Sequence, residues 1–325
     1  MKKLCVVFAV LFAFASVALI PAQAMAAVYT SVGSGVWSAA GTWSPVGQPT
    51  ASDTVIIRAE HTVMVNSAGA EAKGVIVDGT LVVASSGILY VDSSITLRTD
   101  GNLAIGAEYN DYPGAPGLIV GYIEGEGYLD FNHTNAIVHT FPNIITGHVA
   151  VTNLNGNTRL SGRNDSDGYI TVEGGELILR GDYSDYTGSI NVYNGAELVI
   201  DSNKTLTIDG DVWVEAGGLV TNESSIELLT RSTVFNEGRI DNYSTVDLHG
   251  EIKNSGRIYN YAADNEFYVY PAGDITGYGN VYSDTRMGTF TQYKSLQASG
   301  DVGGCNIGAG AFAFVAAALL FLRRK

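Results

Sequence analysis

Thiols and basic side chains are both scarce in this chain of 325 residues, and each shortage excludes something. Only two cysteines occur, Cys5 in an apolar N-terminal stretch and Cys305 near the other end. If the first leaves with a leader, the exported chain holds one thiol and no internal disulfide. No paired cysteines or His-x-x-x-His spacing exists to hold zinc, because His61, His133, His139, His148 and His249 are scattered. Their expected roles are ordinary surface or turn ones. Lysine and arginine total 18 against 33 acidic residues, a net charge of −15. Such a chain repels nucleic acid, which is excluded as a partner. Proline numbers 7 and tryptophan 3, whereas glycine numbers 39. A Gly-x-Ser-x-Gly elbow is missing, and no long helical periodicity runs through the body.

The two ends are different in kind. Lys2 and Lys3, the apolar run Leu4 to Ile20, and the small-residue sites Ala22-Gln23-Ala24 and Ala24-Met25-Ala26 have the layout of a secretory signal over residues 1–26. At the far end Ile307 to Leu322 is uncharged and closes with Arg323, Arg324 and Lys325, a basic membrane stop. That run is short for a bilayer but workable with its flanks. Cys305 sits at its outer edge, where a lone thiolate can carry a lipid or form a thioester. With five of the 18 basic residues confined to the two ends, 13 remain in the body against all 33 acidic ones.

Gly303, Gly304, Cys305, Asn306 and Gly308, followed by the apolar run and the basic end, resemble a C-terminal sorting signal of the Synerg-CTERM type, similar in layout to rhombosortase and myxosortase tails. The resemblance covers 303–325 and implies cleavage near Cys305 by a membrane-embedded sorting protease and display at the cell surface. A plain anchor helix, holding the chain to the membrane by the same segment, is the alternative.

Repeats decide the architecture. Phe235-Asn236-Glu237-Gly238-Arg239-Ile240-Asp241-Asn242-Tyr243 returns 18 residues later as Lys253-Asn254-Ser255-Gly256-Arg257-Ile258-Tyr259-Asn260-Tyr261. Ile170-Thr171-Val172 and Ile190-Asn191-Val192 are 20 apart, and Val77-Asp78-Gly79-Thr80-Leu81 and Thr99-Asp100-Gly101-Asn102-Leu103 are 22 apart. Turn glycines follow the same rhythm at Gly175, Gly195, Gly217, Gly238, Gly256 and Gly273. Repeats of about 20 residues carrying short alternating strands predict an all-β chain, a right-handed parallel β-helix of roughly eleven coils. A single coil cannot bury its inner face, but stacked coils pair strand on strand about 4.8 Å apart around a shared apolar interior. Asn236 over Asn254 and Asn242 over Asn260 are expected to form amide ladders. The full plan is a signal helix (1–26), an N-terminal cap (27–54), the β-helix (55–284), a stalk (285–302) and an apolar C-terminal helix (303–325).

Gly35-Val36-Trp37-Ser38, Gly41-Thr42-Trp43-Ser44-Pro45 and the strands after them resemble the opening coil of G8-like exported β-helix proteins, which permits a link to carbohydrate. The two tryptophans read as a hydrophobic cap. Leu160-Ser161-Gly162 and Tyr186-Thr187-Gly188-Ser189-Ile190 are similar to autotransporter passenger repeats. The tyrosine-rich stretch from Tyr259 to Tyr293 is expected to close the last coils. Arg163-Asn164-Asp165-Ser166-Asp167-Gly168 looks like a fragment of a calcium loop, without the distal glutamate, and reads as a solvated turn.

Tyr109 to Gly117 interrupts the register and offers Tyr109 and Tyr112 as ligand contacts. No cofactor, metal site or catalytic residue is indicated. The leading expectation is a noncatalytic surface protein, a spacer, envelope component or adhesin, with the cell envelope or a surface glycan as partner. A carbohydrate-binding module and a β-helix polysaccharide-degrading enzyme are the alternatives.

Overall fold

The computed structural model describes residues 26–283 and 290–292, apart from 109–110, 135–136, 185, 202–204, 263–266 and 271–272. The signal segment, the stalk and the 303–325 tail, with the helices expected in them, lie outside the described residues. Within those residues the chain is all-β, its only helical piece a 3₁₀ turn at Ala40–Thr42. No helix there is long and apolar enough to cross a membrane.

Apart from one antiparallel strand in the first coil, every paired strand runs parallel to its neighbours, and each neighbour lies one coil away in sequence. One face is continuous, with twelve strands stacked in chain order from Gly35–Val36 to Asp274–Thr276. At about 4.8 Å per strand this makes a rod about 50 Å long. A third face of eight strands starts later, at His139–Phe141, and reaches Asn280–Ser283. Before it begins, long strands turn the corner themselves. Ile88–Leu97 pairs with Ala70–Ala72 through its first half and with Gly74–Val77 through its second.

The first face is interrupted. Nine strands run up to Asn164–Ser166, and five more resume at Leu206–Ile208. In the coil between, Tyr183 and Tyr186 are fully buried where strand residues would otherwise point inward, their rings edge to face at 6.4 Å. The Tyr186 hydroxyl lies between the carbonyls of Gly168 and Ser189, at 3.0 and 2.9 Å, and shares its one proton between them. The Asn164 N–H donates to the Asp182 carbonyl at 3.0 Å, which continues the ladder there. Burial pushes both phenol pKa values upward, so both rings stay neutral.

Alternation within each strand fills the interior. Val55, Val75, Ile95, Ile123 and Ile145 stack in register on the first face, and Val63, Leu81, Leu103, Leu129, Val151, Ile170 and Ile190 on the second. All are buried. At about 1.5 to 3 kcal/mol for each buried aliphatic side chain, these columns are the main stabilising term. Packing is looser toward the C-terminal half, where Ile226, Val234, Val246 and Ile252 help line an apolar cavity of about 50 Å³.

The expected registers hold. Asn236 pairs with Asn254, Arg239 with Arg257, Ile170 with Ile190 and Leu81 with Leu103. Both amide ladders form: Asn236 Nδ2 donates to Asn254 Oδ1, and Asn242 Nδ2 to Asn260 Oδ1, each at 2.7 Å. The second begins a coil earlier, with Asn222 Nδ2 donating to Asn242 Oδ1 at 2.7 Å. One glycine was misplaced in the series. The turn above Gly256 is built by Gly279, because Arg257 pairs with Asn280; Gly273 instead lies over the turn at Gly250. A longer connection before Asp274 moved the coil boundary, which spacing alone could not reveal.

The first coil seals one end. Trp43–Ser44 turns back antiparallel on Val28–Ser31, and Trp43 lies edge to face with Trp37 at 5.2 Å. Trp43 Nε1 donates to the Trp37 carbonyl at 2.8 Å. Both indoles are buried, Trp43 to 1% exposure, so they form a cap.

Candidate functional site

The site residues expected in the tail, Gly303, Gly304, Cys305, Arg323, Arg324 and Lys325, lie outside the described residues, and so does Tyr109. Tyr112 is described and is 96% exposed. It projects from an excursion tethered on both sides. Asn132 Nδ2 donates to the carbonyls of Glu108 and Asp111 at 2.7 and 3.0 Å, and Pro116 bridges to Ala84. The loop is thus a braced projection, with a single described aromatic at its tip.

Next to its base lies a polar cluster whose burial sequence reasoning missed. His133, expected at the surface, is fully buried. Its Nε2 meets the Thr158 hydroxyl at 2.9 Å, and Thr158 donates its proton to Asn153 Oδ1 at 2.7 Å. The Thr158 proton is committed, so His133 Nε2 must carry a hydrogen and donate it. Asn153 Nδ2 continues to the Gly174 carbonyl at 2.7 Å. Desolvation, with His139 edge to face at 5.4 Å, lowers the His133 pKa to about 4. His139 is lowered by its own burial. A neutral imidazole in this network is a structural element. No cluster of potential metal ligands occurs among the described residues.

The calcium-loop fragment is a strand, a correction to the turn expected there. Asn164–Ser166 edges the first face with Asn164 and Ser166 buried. The outward carboxylates are engaged, Asp165 by Arg163 and Asp167 by His148. Alternation of small polar residues hid the strand, since its inward positions carry an amide and a hydroxyl rather than aliphatic groups.

Outward side chains line up as well, because the stacking that aligns the core aligns the surface. On the second face Asn102, Asp130 and Thr152 form a polar step. Asn102 Nδ2 donates to Asp130 at 2.5 Å. Burial raises the Asp130 pKa, against the opposing hydrogen bonds from Asn102 and Thr152. Farther along, Asn191, Trp213, Phe235 and Lys253 occupy successive coils in one register. Trp213 and Phe235 stack at 5.2 Å with planes 6° apart, and the Lys253 ammonium lies 5.1 Å over the Phe235 ring.

A second aromatic column stands on the third face. Tyr259 stacks on Tyr282 at 4.7 Å and Tyr243 on Tyr261 at 4.9 Å, with the Arg239 guanidinium 4.8 Å over Tyr259. Arg239 is held by Asp241 in a two-pronged pair, 2.7 and 2.6 Å. The tyrosine-rich segment therefore clothes the outside of the last coils. Cross-coil stacking of like residues at 18 to 23 positions is its sequence signal, visible at Tyr243 and Tyr261.

Residues 42–187, from within the first coil to just before Ile190, match the G8 domain. A stretch of 97 residues, 30% of this chain, is 39% identical to the adhesin BmaC autotransporter of Brucella suis biovar 1 (strain 1330), of which it covers 3%. Over 245 residues, 70% of this chain, it is 24% identical to the uncharacterized protein YuaQ of Escherichia coli (strain K12), covering 16% of that protein. The chain thus spans only a small part of these curated relatives. No solved structure matches it.

Proposed function

We propose that the chain is a noncatalytic cell-surface rod of adhesin type. The observation that carries this reading is the unbroken twelve-strand face, which turns a one-dimensional repeat into a stiff rod about 50 Å long with aligned outward columns. Similarity to an adhesin autotransporter and to the G8 domain supports it. Right-handed winding is the sense expected of parallel crossovers. Outward carboxylates also form ion pairs along the rod: Asp209 pairs with Arg231, Asp241 with Arg239 and Asp78 with Arg98.

In this reading the leader exports the chain, and a membrane-embedded protease acts at Gly303-Gly304-Cys305. Arg323, Arg324 and Lys325 hold the tail at the membrane until then. The partner is the cell envelope or a surface glycan. The test is made on producing cells. Surface protease should remove the body from intact cells, and deletion of the gene should reduce attachment. Protein shielded from protease, or attachment unchanged by deletion, overturns the reading. The C-terminal peptide mass then separates processing at Cys305 from an intact tail ending at Lys325.

A further inference from the structure

The outward column Asn191–Trp213–Phe235–Lys253 has one closed end and one open end. Lys253 covers the far side of Phe235, and Phe235 covers the far side of Trp213. The near side of Trp213 faces Asn191, its register partner one coil earlier. An asparagine side chain is much shorter than an indole. At about 4.8 Å between coils, the outer part of the Trp213 ring has no register partner of equal reach on that side among the described residues. The indole is 39% exposed. Beside it, in the adjoining column, Tyr193, Glu215 and Glu237 complete a groove of about 440 Å³.

We infer that this groove binds a neutral, hydroxyl-rich glycan, one sugar ring stacked on the open face of Trp213 above the Asn191 amide. The inference rests on the surface-rod reading and names what such a rod would grip. Its chemistry follows from the lining. A flat indole face suits the apolar C–H face of a pyranose, while Asn191, Tyr193, Glu215 and Glu237 offer donors and acceptors at its rim for hydroxyls. The lining contains two carboxylates and no cation, in a chain of net charge −15. Acidic glycans are therefore disfavoured. The volume admits a short glycan segment, and the ladder direction lets a longer chain continue across the coils.

The chain provides its own reporter. It has three tryptophans, and Trp37 and Trp43 are buried in the cap, leaving Trp213 as the one that an aqueous quencher reaches. The full chain is titrated with cellohexaose, mannohexaose, N-acetylchitohexaose and hexagalacturonate, reading acrylamide quenching and, in parallel, calorimetric heat. The expected result is that at least one neutral hexasaccharide shields Trp213. Trp213→Ala should weaken that binding by at least about tenfold. Tyr259→Ala, on another face, should change it by less than about twofold.

Trp213→Phe keeps a flat ring and guards against a folding defect; it should retain part of the affinity and unfold as the parent does. The inference is overturned if no neutral glycan shields Trp213, if Trp213→Ala binds as tightly as the parent, or if hexagalacturonate binds best. Cells displaying the parent chain separate the two readings. Attachment with no glycan binding in solution sinks the groove and leaves the adhesin. Glycan binding in solution without any attachment does the reverse. Attachment to target surfaces stripped of glycan that is lost in Trp213→Ala points to a protein occupant and also overturns the groove.

Discussion

Asn236 donates its side-chain amide to Asn254, one coil above, at 2.7 Å inside a buried strip. The parallel ladder through Asn222, Asn242 and Asn260 has its middle member bonded on both sides. Asn242 also donates to the Ser244 carbonyl at 2.6 Å. Removing it leaves an acceptor and a donor stranded without water. Asn242→Ala is expected to cost about 2 to 4 kcal/mol, more than an end substitution such as Asn260→Ala. Urea denaturation of the two variants measures the difference. Equal losses would show that the ladder does not act as a connected chain.

Glycines in the turns divide into two kinds, and substitution separates them. A Cβ on Gly256 would fall 2.1 Å from the Gly238 carbonyl oxygen of the coil below, so Gly256→Ala forces the coils apart. At Gly195 there is open space, but φ is +81°. We expect Gly195→Ala to cost about 1 kcal/mol and Gly256→Ala several times more, read as shifts in thermal midpoint.

Acid should weaken the fold through His133. Its pKa is about 4 in the folded chain and near 6.5 when unfolded. Between those values the unfolded state takes up a proton that the native state refuses. Stability contributed by the neutral ring is full above pH 6.5 and is lost as pH falls to about 4, on the order of 2 to 3 kcal/mol. His139, also lowered, adds in the same direction. Asp130, with a raised pKa, acts oppositely: the native state gains a proton before the unfolded one does, returning stability as pH falls through its folded value. His133→Gln keeps a hydrogen-bonding group toward Thr158 and cannot titrate. Its unfolding free energy should be flatter between pH 7 and pH 4.5 than that of the parent, and an unchanged slope would rule His133 out as the source.

The apolar cavity among Ile226, Val234, Val246 and Ile252 invites one methylene. Val246→Ile should raise stability by up to about 1 kcal/mol. The same change at Val63, a tightly packed position in the early coils, should be neutral or destabilising. A thermal scan of both variants decides whether looseness is confined to the later coils.

Coil register was legible in the sequence wherever like residues stack: the 18-residue echo from Asn236 to Asn260 carries strand pairing, ladders and turns together. It failed where inward positions are not aliphatic. Asn164 and Ser166 read as a turn because an amide and a hydroxyl fill core positions, and Tyr183 and Tyr186 gave no sign of replacing a strand. His133 escaped because burial of a histidine depends on Thr158, 25 positions away. The aromatic groove was missed for a related reason. Asn191, Trp213 and Phe235 are each unremarkable locally, and only the 22-residue offset sets them side by side.

The gap in the first face at Tyr183 and Tyr186 bears on how the molecule carries force. Shear flow on a surface-held rod would pull along its long axis, loading the ladder bonds coil by coil. Among the described residues the later coils are otherwise joined through three faces of strands, whereas the coil of Tyr183 and Tyr186 is joined through two, with the Asn164 backbone bond and the Tyr186 hydroxyl on the third side. The molecule would part there first under tension. The early coils and their tryptophan cap would peel from the part that bears Trp213, leaving that later block intact as the tether lengthens.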